Sequence, residues 1–524
     1  MAASDEDHRN EQPTIADDEA EDIADGEIDE DDGDDFEEEE ELGSQESTTV
    51  SERAKMEKLF RRLATEGVVL RVHDVLIRGN TKTRHLLIDN QVEGVKNAST
   101  LQELLQAATV ANAQLRRLEI FDSVSITLDS GPPELPATAT VLVEVVEAKN
   151  PFAAEIGIFS KPEVESCSFE GSLKLKNLFG FGDCWDGSLH YCWDQIPEVS
   201  AGVYLPRFKG LATPMLARVY LLSKDWLNFS SYKERALGLS LGIISSGDHD
   251  LAYNLSWRNL TDPSQLASGS IRRQLGHGFL SSLKYRYKID TRNSLLRPTQ
   301  GYAFVSTSQI GGLVPDYWSL NFLCQEFDLR CAFPLGFYNA ALNLGISCGA
   351  IFPRGSGFLN MASPLPERFF LGGCYSPVCT LSGPTTLLGF KSRGLGPSEP
   401  RRQNRENSNN GSPETHSSWD FIGGDLALTA FADLSFDLPL RTFREAGVHG
   451  HFFACAGSLT KITENAFRDF SFPKFHDSFR SSAGFGIILP TRLFRMEVNY
   501  CYVLKQLEHS SGKTGVQFSF SPTL

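Results

Sequence analysis

The sequence of 524 residues lacks the long apolar runs, the paired cysteines and the leader segment that would assign it to several common classes of protein. No stretch of about 18 residues or more is continuously apolar, so the sequence predicts no membrane-spanning helix. All ten cysteines follow residue 160 and none belongs to a C-x-x-C pair, which argues against a disulfide framework or a zinc site. The first residues have neither the basic start and apolar core of a secretory signal nor the arginine-rich composition of a transit peptide.

Basic residues are nearly absent from the first part of the chain. Residues 1–50 contain 23 Asp or Glu and a single Arg, a net charge of −22, whereas the other residues hold 44 acidic and 48 basic groups. Such a segment repels itself and has too little apolar surface to offset the entropy lost on ordering. We therefore predict an acidic disordered tail at 1–50, followed by a nearly neutral body that is long enough for several domains.

A helix and a small mixed domain are predicted over residues 51–149. Residues 51–66 are basic and carry apolar residues on one helical stripe. The expected cap of the next helix is Thr81 or Thr83. Any small α+β module fits the order of the predicted elements, which is strand, helix, helix, strand, strand: Val68–Ile77, Thr81–Val92, Thr100–Leu118, Phe121–Leu128 and Thr138–Glu147.

Two short motifs in this region carry a family resemblance. The first strand ends in Arg78-Gly79-Asn80, and the second helix passes into the second strand through Arg117-Leu118-Glu119-Ile120-Phe121. These motifs resemble the x-Gly-Asn turn and the arginine-to-phenylalanine step of polypeptide-transport-associated domains. The resemblance covers residues 68–148 and implies a single soluble α+β domain that meets client polypeptides.

From residue 150 onward, apolar residues recur at every second position. Between Leu426 and Leu438, for example, they alternate with aspartate, threonine and serine. Segments of about ten residues with one apolar and one polar face are typical of a transmembrane barrel wall. A soluble β-sandwich or propeller is the alternative, but many segments exceed the usual length of soluble strands and carry aromatic residues at their ends. We predict a membrane β-barrel over 150–524.

The alternating segments predict sixteen antiparallel transmembrane strands, an even number that favours closure. Their approximate positions are 153–160, 165–178, 184–196, 198–207, 214–226, 233–245, 249–260, 278–290, 301–311, 318–333, 337–352, 423–438, 447–459, 478–489, 492–505 and 512–521. The connection after the eleventh strand, about 353–422, is far too long for a simple turn. Loops of this length are usually functional or disordered, and we predict both here, since residues 399–418 are polar and residues 369–396 are apolar and rich in glycine.

This loop carries two motifs, Arg368-Phe369-Phe370-Leu371-Gly372-Gly373 and Leu387-Leu388-Gly389-Phe390, with Arg393 shortly after them. They resemble the sixth extramembrane loop of the outer-membrane-protein assembly superfamily of barrel insertases and translocases, in which the loop folds back into the lumen. That family has an arginine at the position of Leu388, and its guanidinium bonds to acidic groups of the inner wall. Arg393 is the candidate to replace this contact.

The last predicted strand carries a second motif. Lys513-Thr514-Gly515-Val516-Gln517-Phe518-Ser519-Phe520 fits the mitochondrial β-signal, in which a polar residue, a glycine and two hydrophobic residues stand at fixed spacing. A strand with one apolar face can be bound by addition to an exposed sheet edge. The alternative interpretation is an ordinary final strand of a barrel.

One transport-associated domain, sixteen strands and no leader together resemble the barrel subunits of the mitochondrial sorting and assembly machinery. The resemblance implies insertion of precursor β-barrel proteins into the mitochondrial outer membrane, with the N-terminal domain in the intermembrane space. Precursor barrels, accessory subunits of an assembly complex and membrane lipid are the implied partners. The implied route is a lateral gate between the first and last strands, where Gly157, Gly512 and Gly515 are expected to weaken the seam.

Other functions fit the sequence less well. A chloroplast-envelope or two-partner-secretion translocase would carry two or three transport-associated domains, and a passive solute porin would lack the loop motifs. A soluble all-β binding protein is the third alternative. Gly345–Gly349 matches the nucleophile elbow G-x-S-x-G but lies within an alternating strand, and His449 and His451 lack a third metal ligand. We expect no catalysis, no cofactor, no metal and no nucleic-acid partner.

Overall fold

The computed structural model describes residues 69–522, apart from 136, 151, 162–165, 193–196, 207–212, 246, 315–318, 356–360, 374, 382, 403–418, 440, 464–470 and 491–493. The predicted acidic tail at 1–50 and the predicted helix at 51–66 lie outside the described residues. The described part of the chain forms a three-stranded sheet, a sixteen-stranded sheet and a two-stranded hairpin.

The first domain is α+β, with its elements in the predicted order. They are β1 Arg71–Arg78, α1 His85–Gln91, α2 Glu93–Lys96, α3 Leu101–Arg117, β2 Phe121–Ser130 and β3 Thr138–Glu147. β3 is central, with β1 parallel to it on one side and β2 antiparallel on the other. Alternate residues of β3, such as Val141 and Val143, are buried in one core with residues of the helices, because one face of the sheet must be covered.

The turn after β1 requires its glycine. Gly79 has a φ of +89°, and a Cβ at this position would lie 2.0 Å from the carbonyl oxygen of Val145. The side-chain amide of Asn80 donates a hydrogen bond to the carbonyl oxygen of Thr83 at 3.2 Å. The predicted x-Gly-Asn turn is therefore a fixed reversal that is pressed against β3.

Glu147, at the end of β3, changes where the first helix begins. Its carboxylate accepts hydrogen bonds from the N–H groups of Thr81, Lys82 and Thr83 at 3.1, 3.0 and 2.7 Å. These residues stay in the turn, and α1 begins at His85 with no side-chain hydrogen bond at its N-cap. The prediction that a threonine caps this helix is wrong. Burial alone would raise the pKa of Glu147, but the hydrogen bonds outweigh it and lower the pKa to about 2.

The rest of the chain is built from strands. They are β4 Phe152–Lys161, β5 Ser166–Lys176, β6 Cys184–Cys192, β7 Glu198–Leu205, β8 Met215–Asp225, β9 Lys233–Ser245, β10 His249–Thr261, β11 Gly276–Asp290, β12 Gly301–Gly311, β13 Phe322–Pro334, β14 Ala341–Pro353, β15 Ser398–Pro400, β16 Trp419–Phe421, β17 Leu426–Asp437, β18 His449–Thr460, β19 Arg480–Pro490, β20 Phe494–Lys505 and β21 Gly515–Pro522. β15 and β16 form a separate hairpin, and the others form one antiparallel sheet of sixteen among the described residues. The predicted sixteen-stranded membrane β-barrel is confirmed.

Alternation along the strands separates an inner face of the wall from an outer face. In β14, every second residue from Ala341 to Pro353 is buried, and these residues include Asn343 and Ser347. The residues between them include the exposed Leu344 and Ile346. An apolar outer face and a more polar inner face are what a barrel embedded in lipid requires.

The sixteen-stranded sheet ends at β4 and β21. Each strand pairs with the strands that lie next to it in the sheet, and the order in the sheet follows the order in the sequence. No backbone ladder between β4 and β21 is found among the described residues. A strand edge presents N–H and C=O groups to which another strand can bind. The sheet therefore has one edge at its first strand and the other at its last.

The connection between β5 and β6 attaches the α+β domain to the barrel. The side-chain amide of Asn177 donates to the hydroxyl of Thr83 at 2.8 Å, and the N–H of Arg84 donates to the carbonyl of Gly180 at 2.9 Å. The guanidinium of Arg84 also lies 3.8 Å from the ring centroid of Phe181. The turn after β1 thus positions the residues that bind the barrel.

Short helices occur in the connections between the barrel strands. They are α4 Leu227–Ser230, α5 Gly269–Arg272, α6 Arg441–Glu445 and α7 Phe472–Asp477, with a 3-10 turn at Leu365–Glu367. No helix within the described ranges is both long and apolar enough to cross a membrane. α4 and α5 lie in the connections that follow β8 and β10.

Removal of the Glu147 charge should loosen the turn after β1. In the full chain in detergent at pH 7, we expect E147Q to speed amide hydrogen exchange at Lys82 and Thr83 about fivefold, because hydrogen bonds to a charged group at a partly solvated site contribute about 1 kcal/mol. E144Q, which alters an exposed glutamate of the same strand, should leave the exchange unchanged. Equal exchange in E147Q and the parent chain would contradict the assignment.

The same contact should depend on pH in the parent chain. The folded pKa of Glu147, about 2, lies below its ordinary value of 4.5. The stabilisation is therefore complete above the ordinary value and is lost as the pH falls from about 4.5 towards 2. Hydrogen exchange at Lys82 and Thr83, corrected for intrinsic rates, should rise over that range in the parent chain and not in E147Q.

Candidate functional site

The described part of the connection between β14 and β17 packs against the inner face of the wall. Its apolar side chains form one buried cluster with residues of six wall strands: Leu280, Phe322, Cys324, Ile351, Phe369, Leu371, Val378, Leu387, Leu388, Phe390, Leu395, Ala427, Phe431, Phe453, Cys455, Leu459 and Cys501. Because these partners come from β11, β13, β14, β17, β18 and β20, the loop lies in the lumen. Burial of each large side chain contributes about 1.5–3 kcal/mol, so the loop is a packed part of the barrel.

The first loop motif closes the base of the loop. Nε of the buried Arg368 donates to the hydroxyl of Ser363 at 2.8 Å, and its Nη1 donates to the carbonyl oxygen of Ile422 at 3.1 Å. Phe369 and Gly424 exchange both main-chain hydrogen bonds at 3.0 Å, as an antiparallel bridge. The two ends of the loop, at residues 369 and 424, are therefore paired with each other at one place on the wall.

The two glycines of the first motif bring it against the second. Gly372 has a φ of +118°, and a Cβ there would lie 2.0 Å from the carbonyl oxygen of Lys391. Its N–H donates to the carbonyl of Thr385 at 3.1 Å, and the N–H of Gly373 donates to the carbonyl of Phe390 at 3.0 Å. The close main-chain approach at Gly372 explains why glycine occupies this position.

The second loop motif contacts the inner wall near the end of the sheet. The carbonyl oxygen of Leu388 accepts a hydrogen bond from the hydroxyl of Ser482 in β19. The N–H of Gly389 donates to Oε1 of Gln517 in β21 at 3.2 Å. Gly389 has a φ of +87°, and a Cβ there would lie 3.0 Å from Cβ of Ser482. The loop tip thus rests against the last strand.

Main-chain hydrogen bonds also join the loop tip to the segment that precedes β21. We call this set, between residues 389–394 and 511–513, the loop-tip clamp. Phe390 and Gly512 form an antiparallel bridge at its centre. The hydrogen bonds run from Lys513 N–H to Gly389 O at 2.8 Å, from Lys391 N–H to Ser511 O at 2.9 Å and from Ser511 N–H to Gly394 O at 2.9 Å.

Leu388 takes a different role from the family arginine. Its side chain is 1 % exposed and belongs to the apolar cluster of the lumen. The carboxylate of Glu497, buried in the inner wall, accepts hydrogen bonds from Arg495 at 2.7 Å, Asn499 at 3.0 Å and Ser519 at 3.1 Å. These three partners lie on β20 and β21. Because the wall itself pairs this buried charge, an arginine on the loop is not required for it.

Arg393 is bound by aromatic residues. Its guanidinium carbon lies 3.4 Å from the ring centroid of Trp226 and 3.8 Å from that of Phe370. Its Nη1 donates to the hydroxyl of Tyr232 at 3.2 Å. Burial raises the pKa of Tyr232, and the positive charge of Arg393 acts in the opposite direction. The partners of Arg393 are thus two rings and a phenol, where sequence analysis expected acidic groups.

The hairpin β15–β16 ties the loop to the connections that follow β8 and β10. Asp420 accepts hydrogen bonds from the hydroxyl of Ser231 at 2.6 Å and from the N–H of Ser268 at 2.8 Å. Glu399 accepts from the N–H of Ser270 at 3.1 Å and from its hydroxyl. Burial alone would raise the pKa of Glu399, but the hydrogen bonds from Ser270 outweigh it and lower the pKa.

The predicted gate residues fall into two groups. Gly157 lies on the edge strand β4, and Gly515, with a φ of +136°, begins the other edge strand, β21. Phe518 and Phe520 pair with β20, and the side chain of Phe518 is 54 % exposed on the outer face. Gly512 and Lys513 instead precede the strand and belong to the loop-tip clamp.

The serine of the G-x-S-x-G motif and one histidine of the His449–His451 pair both contact polar side chains of the wall. The hydroxyl of Ser347 lies within β14 and donates to Oδ1 of Asp328 at 3.0 Å. The ring of His451 lies 2.6 Å from Oδ1 of Asp433 and 2.7 Å from Oδ1 of Asn499. Across the described ranges, no three His, Cys, Asp or Glu side chains are arranged to hold a metal ion.

Comparison with known proteins relates the chain to the Omp85 superfamily. The Omp85 superfamily domain matches residues 177–523. The sorting and assembly machinery component 50 homolog of Xenopus tropicalis is 26% identical over 464 residues, which cover 86% of this chain and 89% of the relative. The human homolog is 26% identical over 481 residues, covering 90% and 92%. The structure of BamA from Haemophilus ducreyi lacking POTRA domains 1-3 has the same fold, with a TM-score of 0.68, 14% identity and coverage of 86% and 84%.

Substitution of the loop glycines should test the close approaches. Of the three variants G372A, G389A and G276A, G372A should lower the unfolding temperature of the barrel in detergent most. An alanine with a left-handed backbone conformation costs about 1–2 kcal/mol, and its Cβ at this position would also collide with main chain. G389A should have a smaller effect and should speed exchange of the Lys513 amide. The matched control is G276A, since Gly276 has a φ of +113° and no atom within 4 Å of a Cβ position. Equal effects of G372A and G276A would contradict the packing argument.

Proposed function

The chain belongs to the Omp85 superfamily, and on this premise we propose that it inserts precursor β-barrel proteins into the mitochondrial outer membrane through a lateral gate. The names of the curated relatives, sorting and assembly machinery components, support the assembly role. The observation that carries the mechanism is the sheet itself, which ends at β4 and β21 with no described ladder between them.

The proposed reaction is strand exchange at this seam. An incoming strand binds by β-addition to an edge of unpaired N–H and C=O groups. The hydrogen bonds that it makes with this edge replace those that the seam loses when it opens. β21 has the pattern that such a site would recognise, since Val516 and Phe518 face outward and Ser519 faces inward. A precursor with the same pattern in its last strand can take the same place beside β4.

The packed lumen favours exchange at the wall over free passage through the pore. The loop contributes large apolar side chains to the cluster that spans six wall strands. A passive porin needs an open, hydrated lumen. We therefore propose that the loop steers the seam and restricts the lumen. No cofactor or covalent step is needed, so we propose no enzymatic activity.

The connectivity supports an orientation in the membrane. Antiparallel strands place successive connections at alternate ends of the barrel. The β5–β6 connection, which binds the soluble domain, follows the second strand of the sheet, and the lumen loop follows the eleventh. They therefore lie at opposite ends. We propose that the soluble domain faces the intermembrane space, where it meets precursors and accessory subunits, and that the loop enters from the cytosolic end.

Site-specific photocrosslinking tests the gate. With a photoreactive residue at position 157 or 518 of the full chain in mitochondria, a precursor barrel arrested during insertion should crosslink at both positions. The matched control is position 327, because Phe327 is also exposed on the outer face but lies mid-wall in β13. A precursor with its last-strand glycine and hydrophobic residues altered should lose the crosslinks. Crosslinks confined to the inner-wall position 347 would contradict the gate.

Protease protection tests the orientation. An epitope tag before residue 69 should resist protease in intact mitochondria and should be degraded once the outer membrane is ruptured, because the soluble domain would face the intermembrane space. Degradation of the tag in intact mitochondria, with an outer-membrane receptor and an intermembrane-space protein as controls, would reverse the proposed orientation.

A further inference from the structure

Arg393 makes an interaction that the gate mechanism leaves without a role. Its guanidinium carbon lies over the rings of Trp226 and Phe370, at 3.4 and 3.8 Å from their centroids, and its Nη1 donates to the hydroxyl of Tyr232 at 3.2 Å. A planar guanidinium stacks on rings at both faces while it donates in its plane. A lysine ammonium has the same charge but cannot make this combination of contacts.

The partners of Arg393 join the loop to a part of the wall that is distant from the seam in the sheet order. Trp226 and Tyr232 flank α4 in the connection between β8 and β9, the fifth and sixth strands counted from β4. The loop-tip clamp instead contacts the segment before β21, the last strand. The loop is therefore attached both to the segment before β21 and to the β8–β9 connection, where Arg393 acts beside the β15–β16 hairpin.

Arg393 also lies inside the turn that forms the clamp. The N–H of Gly394 donates to the carbonyl of Lys391 at 2.9 Å, which closes the turn around Arg393. The N–H of Lys391 and the carbonyl of Gly394 both bind the main chain of Ser511 at 2.9 Å. A shift of Arg393 therefore moves both groups that bind Ser511.

The backbone conformation at Arg393 favours glycine over arginine. Arg393 has a φ of +52°, in the left-handed region where a side chain is strained and glycine is not. The stacked rings and the phenol hydrogen bond offset this strain. The side chain, rather than the backbone, accounts for an arginine in the turn.

We propose that Arg393 is a positioning residue for the gate. By attaching the loop to the β8–β9 connection, it fixes the turn that clamps residues 511–513, and so sets how readily the last strand is released. This inference rests on the proposed function, and it adds contacts with a connection remote from the seam that control the seam.

Hydrogen exchange in the full chain, reconstituted in liposomes, tests the proposal without reference to insertion activity. R393A should speed amide exchange at Ser511 and Lys513 about fivefold to tenfold, the factor expected for loss of a partly buried cation–π contact. R393K should also speed it, because the charge remains but the stacking geometry is lost. R354A, at an exposed arginine near the start of the same loop, should leave the exchange unchanged.

A second variant separates positioning from a general loss of stability. W226A should speed exchange at 511–513 to a similar extent, and the double variant R393A/W226A should add little to either single change. Exchange within β12 and β13 should stay at the level of the parent chain. Unchanged exchange at 511–513 in R393A, additive effects in the double variant, or a uniform increase across the barrel would each overturn the proposal.

The outcome is independent of the crosslinking result. Faster exchange at 511–513 in R393A without precursor crosslinks at 157 and 518 would leave the attachment standing and remove the proposed gate. Crosslinks at both positions with unchanged exchange in R393A would support the gate and overturn the role of Arg393.

Discussion

Main-chain hydrogen bonding at the end of the sheet is the constraint on which the rest of the structure depends. In a membrane, each unpaired N–H or C=O group costs several kcal/mol, so a wall strand needs a neighbour on both sides. The described strands meet this need everywhere except at the edges of β4 and β21. Ser511 and Lys513, directly before β21, find their partners on the lumen loop. The loop thus acts as a neighbour for the chain where the last strand begins.

The loop tip can be apolar because the wall pairs its own buried charges. Glu497 is satisfied by Arg495 and by neighbouring polar groups of the wall, so the loop is free to present Leu388 to an apolar cluster. The attachment of the tip then depends on burial and main-chain hydrogen bonds, with Ser482 and Gln517 as side-chain partners. An ion pair at an exposed site weakens in salt, whereas these contacts do not.

Sequence reasoning was most reliable where a short period in the sequence reports directly on burial. Alternation such as that of Leu426–Leu438 gave the strands to within a few residues, because the two faces of a barrel wall meet different solvents. It could not give the loop-tip clamp, since the hydrogen bonds between residues 389–394 and 511–513 involve main chain only and join residues far apart in sequence. The contact of Glu147 with Thr83 was missed for the same reason, because 64 residues separate the two in the sequence. Arg393 was identified as a candidate, but two of its three aromatic partners, Trp226 and Tyr232, lie in a connection that carries no motif.

The contacts of β21 explain why exchange of this strand can be nearly balanced in free energy under the proposed function. Its outer side chains, such as Val516 and Phe518, face lipid and would face lipid equally on another strand. Its ladder with β20 lies on the side away from the seam, so a strand that adds beside β4 leaves that ladder in place. Most of the interactions lost on release of the strand are therefore regained by an incoming strand of the same pattern. The clamp is the exception, because it binds residues that precede the strand, and it is the natural place for the barrier to release.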